Sequence, residues 1–247
     1  NEEHIGCMGE PRNTPVVGRF APSPSGRMHL GNIFSALMAW LSVRSQGGRM
    51  VLRIEDLDAR CHNPLWSDLF IEDLRWLGLD WDEGPFYQRD RTALYEEALD
   101  RLVASGLTYP CFCTRAELHA ASAPHASDGT PIYAGTCRSL SPAEAALRAA
   151  ARPPATRLRV PRVEDDSDVV EFVDRVYGAQ CEALAAECGD FLIRRSDGIF
   201  AYQLAVVVDD AAMGVTEVVR GNDLLSSTPR QMYLQNLLGY PHPRYAH

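Results

Sequence analysis

Residues 19–32, Arg-Phe-Ala-Pro-Ser-Pro-Ser-Gly-Arg-Met-His-Leu-Gly-Asn, constrain this chain more than any other stretch. Val16-Val17 lead in as a short buried strand. Pro22 and Pro24 exclude both a regular ladder and a helix, and Gly26 permits a turn. From Ile33 apolar residues recur at helical spacing through Phe34, Leu37, Met38 and Leu41, and Gly47-Gly48 ends that helix. The pattern is strand, stiff loop, helix N-terminus. The unpaired N–H groups and positive end of such a helix suit a phosphate. His29 offers a donor or a positive charge to phosphoryl oxygens. Gly31, lacking a side chain, lets a flat base lie against the backbone. Each piece also has a plain reading: His-x-Gly is common, and two prolines can simply shape a loop. Their combination is what points to a nucleotide.

At 247 residues the chain holds one large domain or two modest ones, with ample core. Hydrophobic residues at 46% and charged ones at 23% fit a soluble globular protein. Apolar runs fall short of the roughly 18–20 residues that span a membrane, and no secretory signal is visible, so a cytoplasmic location is expected. Residues 1–14 are polar and aperiodic and read as a flexible extension, with Met8 a candidate start. The net charge of −9 argues against a non-specific nucleic-acid coat but leaves room for a local arginine-rich RNA face. All 24 basic residues are arginine. No lysine of this sequence can therefore act as nucleophile, base or phosphate clamp.

Further along, residues 50–58 read as a buried parallel strand ending in carboxylates. Ligands of open α/β sheets sit beyond the carboxyl ends of strands, so Glu55 is expected to share a crevice with His29 and to hold an ammonium group. Asp58 reads more simply as a cap of the next turn. Asn63-Pro64 starts a helix running to about Leu77, Trp81 to Pro85 reads as a loop, and residues 91–105 form an amphipathic helix whose stripe is core. Ser141-Pro142-Ala143-Glu144 opens a helix to about Ala151. Residues 156–160 and 169–176 read as strands, with acidic Glu164-Asp165-Asp166 between them. Residues 191–200 form a hairpin with an Asp-Gly turn. Residues 215–219 form a strand ending in Arg220, placed for a bidentate carboxylate contact. Ser227-Thr228-Pro229 caps a last helix to about Leu238.

Seven cysteines without a secretory signal do not suggest a disulfide framework. Cys111, Cys113 and Cys137 fall close together and suggest Zn²⁺, for which a tetrahedral structural site needs a fourth ligand. His119, His125, Tyr133, Cys181 and Cys188 are the candidates, and by chemistry alone histidine leads.

The His-Leu-Gly-Asn turn resembles the ATP signature of class I aminoacyl-tRNA synthetases. Arg-Phe-Ala-Pro-Ser-Pro-Ser-Gly, Arg-Ile-Glu-Asp-Leu-Asp (53–58) and Val-Val-Arg-Gly-Asn-Asp-Leu-Leu-Ser-Ser-Thr-Pro-Arg-Gln (218–231) resemble its glutamyl and glutaminyl branch. The resemblance covers about residues 16–247. It implies an α/β fold: a Rossmann-type class I synthetase catalytic domain with an inserted α+β zinc-bearing subdomain. The implied organisation is a flexible extension 1–14, a first catalytic half 15–107, the insertion 108–190 and a second catalytic half 191–247. It implies that Arg19, Phe20, Ala21, Pro22, Ser23, Glu55, Tyr202 and Arg220 form a glutamate pocket, while His29, Gly31 and Asn32 serve ATP, with Mg²⁺. Asn32 stands where many members carry histidine. Cys-x-Cys followed by Tyr-x-x-x-Cys (Cys111, Cys113, Tyr133, Cys137) is similar to the zinc motif of the glutamyl-queuosine tRNA(Asp) synthetases, in which the tyrosine completes the site.

The expected reaction is L-glutamate plus ATP giving glutamyl-adenylate and pyrophosphate, without a protein nucleophile. The glutamyl group then passes to queuosine in tRNA(Asp), the expected enzyme being a monomer. The lysine-containing second ATP signature of the family has no counterpart before His247, so weak activation is expected of the chain as written. Three alternatives stand beside this reading: the catalytic fragment of a glutamyl-tRNA synthetase charging tRNA(Glu), a non-catalytic glutamate- or tRNA-binding paralogue, and an adenylyl-transferring enzyme of small-molecule metabolism. The last shares only the His-x-Gly turn and gives Arg19 and Arg220 no purpose.

Overall fold

The computed structural model describes residues 15–24, 26–58, 63–114, 116–117, 132–162 and 169–247. The extension 1–14, the acidic run 164–166 and the ligand candidates His119 and His125 lie outside the described residues.

β1 (Val17–Phe20) pairs in parallel with β2 (Arg49–Ile54), Val17 opposite Arg49 and Phe20 opposite Leu52. β2 pairs in parallel with β3 (Glu83–Tyr87). Parallel neighbours need long crossovers, and α1 (Leu30–Arg44) and α2 (Pro64–Trp76) supply them. On the far side of β1, Val17 and Thr216 exchange two 2.9 Å hydrogen bonds, seating β9 (Glu217–Val219) beside it. β10 (Arg244–Ala246) runs parallel to β9 and to β6 (Val169–Asp174), and β7 (Gly178–Ala183) closes a hairpin with β6. Two ladders, β3-β2-β1 and β9-β10-β6-β7, thus lie side by side. A second, antiparallel sheet has the order β4 (Thr108–Cys111), β5 (Ala155–Leu158), β8 (Leu192–Arg194).

Both faces of the first sheet are covered, which is why β2 reads as an almost unbroken apolar run. Met50, Leu52 and Ile54 face a core built with Ala36, Ala39 and Val43 of α1 and Phe70, Ile71 and Leu74 of α2. Val51 faces the opposite core. There it meets α3 (Thr92–Ala104) through Tyr95, Leu99 and Leu102, α6 (Tyr202–Ala212) through Leu204, Val207 and Val208, and α7 (Thr228–Leu238) through Met232 and Leu234. The remaining helices are α4 (Pro142–Ala151) and the short α5 (Leu184–Glu187).

Two local expectations change. Trp81 to Pro85 is not wholly loop, because β3 begins at Glu83. Gly84-Pro85 looks like a turn in sequence, but β3 is the edge of its sheet, where a missing proline donor breaks no ladder. The helical spacing at Ile33–Leu41 marks a true helix, but its large apolar residues do not face the core. Phe34, Leu37, Met38 and Leu41 are exposed, and small Ala36 and Ala39 are buried in their place. The backbone approach explains this: a Cβ built at Gly18 of β1 would stand 2.3 Å from Val43 Cγ2.

Candidate active site and metal centre

β1, β2 and β9 end at the same edge of the sheet, so the residues directly beyond them converge. They meet the first turn of α1 and Tyr202 at the start of α6 around a cleft of about 720 Å³. Arg19, Phe20, Ala21, Pro22, Ser23, His29, Gly31, Asn32, Glu55, Tyr202 and Arg220 all line it. Every cleft residue named from sequence is brought together. Pro22 does more than stiffen the loop: its carbonyl accepts the Glu55 N–H at 2.8 Å and ties the loop to the end of β2.

His29 is the N-cap of α1, with extended backbone. Its Nδ1 accepts the Gly31 N–H at 3.1 Å, and Asn32 Oδ1 accepts the His29 N–H at 3.3 Å. Asn32 therefore completes a capping box. One of the helix's orphan donors is satisfied from within, and the neutral imidazole keeps its proton on Nε2. A Cβ at Gly31 would lie 3.1 Å from His29 Cε1 and 3.2 Å from Nδ1. A side chain at Gly31 would thus crowd the histidine by a few tenths of an ångström, and glycine leaves the helix end bare.

The other side of the cleft is a buried charge network. Arg53, fully buried in β2, donates from Nη1 to Asp210 Oδ1 at 2.6 Å and from Nη2 to Glu55 Oε1 at 3.0 Å. Arg19 Nε lies 3.5 Å from the same Asp210 oxygen, too far for a hydrogen bond, and is left buried without one. Burial pushes the Glu55 carboxyl above its ordinary range, against the pull of Arg53. Burial pushes Asp210 the same way, but Arg53 and Arg19 outweigh it and hold that carboxyl low. Arg220 donates from Nε to His247, from Nη1 to Gln231 Oε1 and from Nη2 to Thr228 Oγ1. Of its five N–H groups, the other two sit on Nη1 and Nη2. A carboxylate entering between Arg19 and Arg220, with its ammonium toward Glu55, would meet the matching charge at each end.

Away from the cleft, three sulfurs and one phenol gather. Cys113 Sγ lies 3.7 Å from Cys137 Sγ, and the Tyr133 hydroxyl lies 3.5 Å from Cys113 Sγ and 3.6 Å from Cys111 Sγ. A zinc–sulfur bond of about 2.3 Å sets a tetrahedral sulfur–sulfur edge of about 3.8 Å. The Cys113–Cys137 pair fits that figure, the three sulfurs lie within 4.8 Å of one another, and the Tyr133 hydroxyl stands beside two of them. Cys181, exposed on β7, and Cys188 are not part of the group. Arg157 supports it from outside: Nε donates to Cys111 Sγ at 3.2 Å, and the guanidinium lies 3.7 Å over the Tyr133 ring. Burial disfavours the Cys111 thiolate, yet Arg157 brings its pKa below the ordinary value.

Residues 15–247 match the family described as tRNA synthetases class I (E and Q), catalytic domain. The chain belongs to this family. It is 51% identical over 244 residues to a glutamyl-Q tRNA(Asp) synthetase of Symbiobacterium thermophilum, covering 94% of this chain and 73% of that protein. It is 49% identical over 243 residues to the protein of the same name from Geobacter sulfurreducens, covering 98% and 74%. Among solved structures, a glutamate tRNA ligase from Elizabethkingia meningosepticum in complex with its amino acid superposes with a TM-score of 0.81 at 27% identity. That match covers 95% of this chain and 49% of the ligase, so the chain spans about half the ligase's length. The α/β class expected from sequence is that of a class I synthetase catalytic domain, and the chain is a ligase-type enzyme.

Sequence reasoning missed the residues behind the cleft. Asp210, Arg53, Asp174 and His247 received no role. A signal was available for one of them: Arg53 interrupts a run that is otherwise buried and apolar, and a charge there is kept only when paired. Asp174 and His247 lie 73 positions apart and gave no local signal.

Proposed function

We propose that this chain activates L-glutamate with ATP, as its magnesium salt, to form glutamyl-adenylate, and passes the glutamyl group to queuosine of tRNA(Asp). The observation that carries this reading is the meeting of Arg19, Arg220 and Glu55 in one cleft with the His29-capped end of α1. Arg19 and Arg220 take the side-chain carboxylate and reject glutamine, which would leave them without a counter-charge. Glu55 takes the α-ammonium, and Ser23 and Tyr202 close the pocket. His29 Nε2–H and the bare Gly31 turn face the nucleotide. The substrate's own α-carboxylate attacks the α-phosphorus in line, and pyrophosphate leaves. The chain's part is placement and charge stabilisation.

Cys111, Cys113, Cys137 and Tyr133 hold a structural Zn²⁺, which when bound fixes the segment joining β4 to α4. We read residues 108–190 as inserted between catalytic halves 15–107 and 191–247, with the β6–β7 hairpin lying along the catalytic sheet. A cytoplasmic enzyme fits this reading, and no helix among the described residues is long and apolar enough to cross a membrane. The choice of acceptor follows the relatives' names and the Tyr-x-x-x-Cys half of the metal site. Labelled glutamate offered to both RNAs tests it. Label retained in the anticodon stem-loop of queuosine-bearing tRNA(Asp) is expected. Label on the 3′ end of tRNA(Glu) overturns it in favour of an ordinary glutamyl-tRNA synthetase.

A further inference from the structure

Arg220 is buried, and each of the three hydrogen bonds it makes within the protein goes to a neutral acceptor rather than to a carboxylate. The contact at Nε is the telling one, since it goes to His247 Nε2 at 2.8 Å. An imidazole nitrogen that accepts carries no proton, so the neutral ring holds its hydrogen on Nδ1. His247 Nδ1 lies 2.7 Å from Asp174 Oδ2, and both side chains are 0% exposed. The other Asp174 oxygen accepts the N–H groups of Val176 at 2.9 Å and Tyr177 at 3.0 Å. The aspartate is thereby fixed by the hairpin it begins. It sets the tautomer of His247, and the tautomer aims a lone pair at Arg220.

We propose that Asp174 and His247 form a positioning relay that holds Arg220 as the carboxylate clamp of the cleft. The relay rests on the reading of that cleft as a glutamate site. It explains why a hairpin from the expected insertion runs beside β10: Tyr245 pairs with Asp174, which puts the carboxylate two residues from His247 and on the same face of the sheet. It also explains the direction in which His247 is shifted. Burial lowers its proton affinity against the pull of Asp174, and Arg220 lowers it further. A protonated ring would turn an N–H toward a guanidinium. Around the ring stand Asp174 of β6, Arg220 beyond β9, Thr228 Oγ1 of α7 at 3.3 Å and the stacked ring of Tyr245. Asp174 is the carboxylate of that set. Neither side chain lines the cleft, so both act through Arg220.

Calorimetric titration with L-glutamate, with ATP as the control ligand, tests the relay. Glutamine can replace neutral histidine here, its carbonyl accepting from Arg220 and its amide donating to Asp174. His247→Gln is expected to bind glutamate within about twofold of the parent, and His247→Ala about tenfold more weakly, a loss of the size of one charged hydrogen bond. Asp174→Asn, which offers His247 an amide in place of a carboxylate, is expected to behave like the alanine variant. ATP binding is expected to stay unchanged in all three. Unchanged glutamate affinity in His247→Ala and Asp174→Asn overturns the relay, as does a glutamine variant as weak as alanine. A parent protein that does not bind glutamate overturns the reading of the cleft itself, and the two failures are thus told apart.

Discussion

Glu55 shows at the scale of one residue how a site is kept at the expense of stability. Its folded-state pKa is raised above the ordinary carboxylate value. A raised acid contributes stability that is present below the unfolded pKa, about 4.3, and is lost as pH rises through the folded value. Once ionised, Glu55 is therefore a cost that a bound ammonium group removes. Glu55→Gln keeps an acceptor for Arg53 Nη2 and deletes that cost. It is expected to raise the thermal midpoint of the ligand-free protein at pH 7, by an amount that shrinks toward pH 4, and to weaken glutamate binding at least about tenfold. A lowered midpoint at pH 7 would contradict this account of Glu55. The sequence made Glu55 legible because it ends an apolar strand at the edge where ligands bind. It could not show Asp210, whose importance comes from touching Arg53, 157 positions away. Contacts of that reach leave no periodic trace.

At the scale of elements, the strand–loop–helix opening was legible throughout, since prolines, glycines and helical spacing are local signals. Which face of α1 turns inward was not. Hydrophobic spacing favours the face with Phe34 and Leu41, whereas the glycines of β1 and the following turn admit a helix that approaches on alanines. Gly18→Ala tests this close approach. The added methyl would meet Val43 Cγ2, and the strain is expected to cost about 1–3 kcal/mol in urea unfolding. Restoring stability with Gly18→Ala/Val43→Ala would locate the clash at this pair, and a single variant as stable as the parent would contradict it. The edge strand β3 escaped the sequence for the opposite reason: its glycine and proline are turn residues that only an edge tolerates.

The whole molecule sets two sites apart on one fold. The glutamate and nucleotide cleft belongs to the parallel sheet. The cysteine group belongs to a small core of Tyr109, Phe112 and Tyr133 at the second sheet. The proposed metal is thus structural, and its loss is expected to act on stability first. Atomic emission is expected to find one zinc per chain in the parent and none in Cys113→Ser. The variant should lose thermal stability while keeping glutamate affinity within about twofold. Retention of zinc by Cys113→Ser would contradict the four-ligand assignment. The motif spacing left the fourth ligand open between tyrosine, histidine and cysteine. The family resemblance named Tyr133, and the placement of its hydroxyl near two sulfurs is compatible with that choice, whereas spacing along a chain says nothing of where a loop returns. ATP–pyrophosphate exchange driven by L-glutamate in the absence of any RNA tests the central claim most directly. The account predicts exchange that needs glutamate, is not supported by glutamine, and falls when Arg220 or His29 is replaced by alanine. Exchange that appears only when tRNA(Glu) is added, or none under either condition, would contradict it.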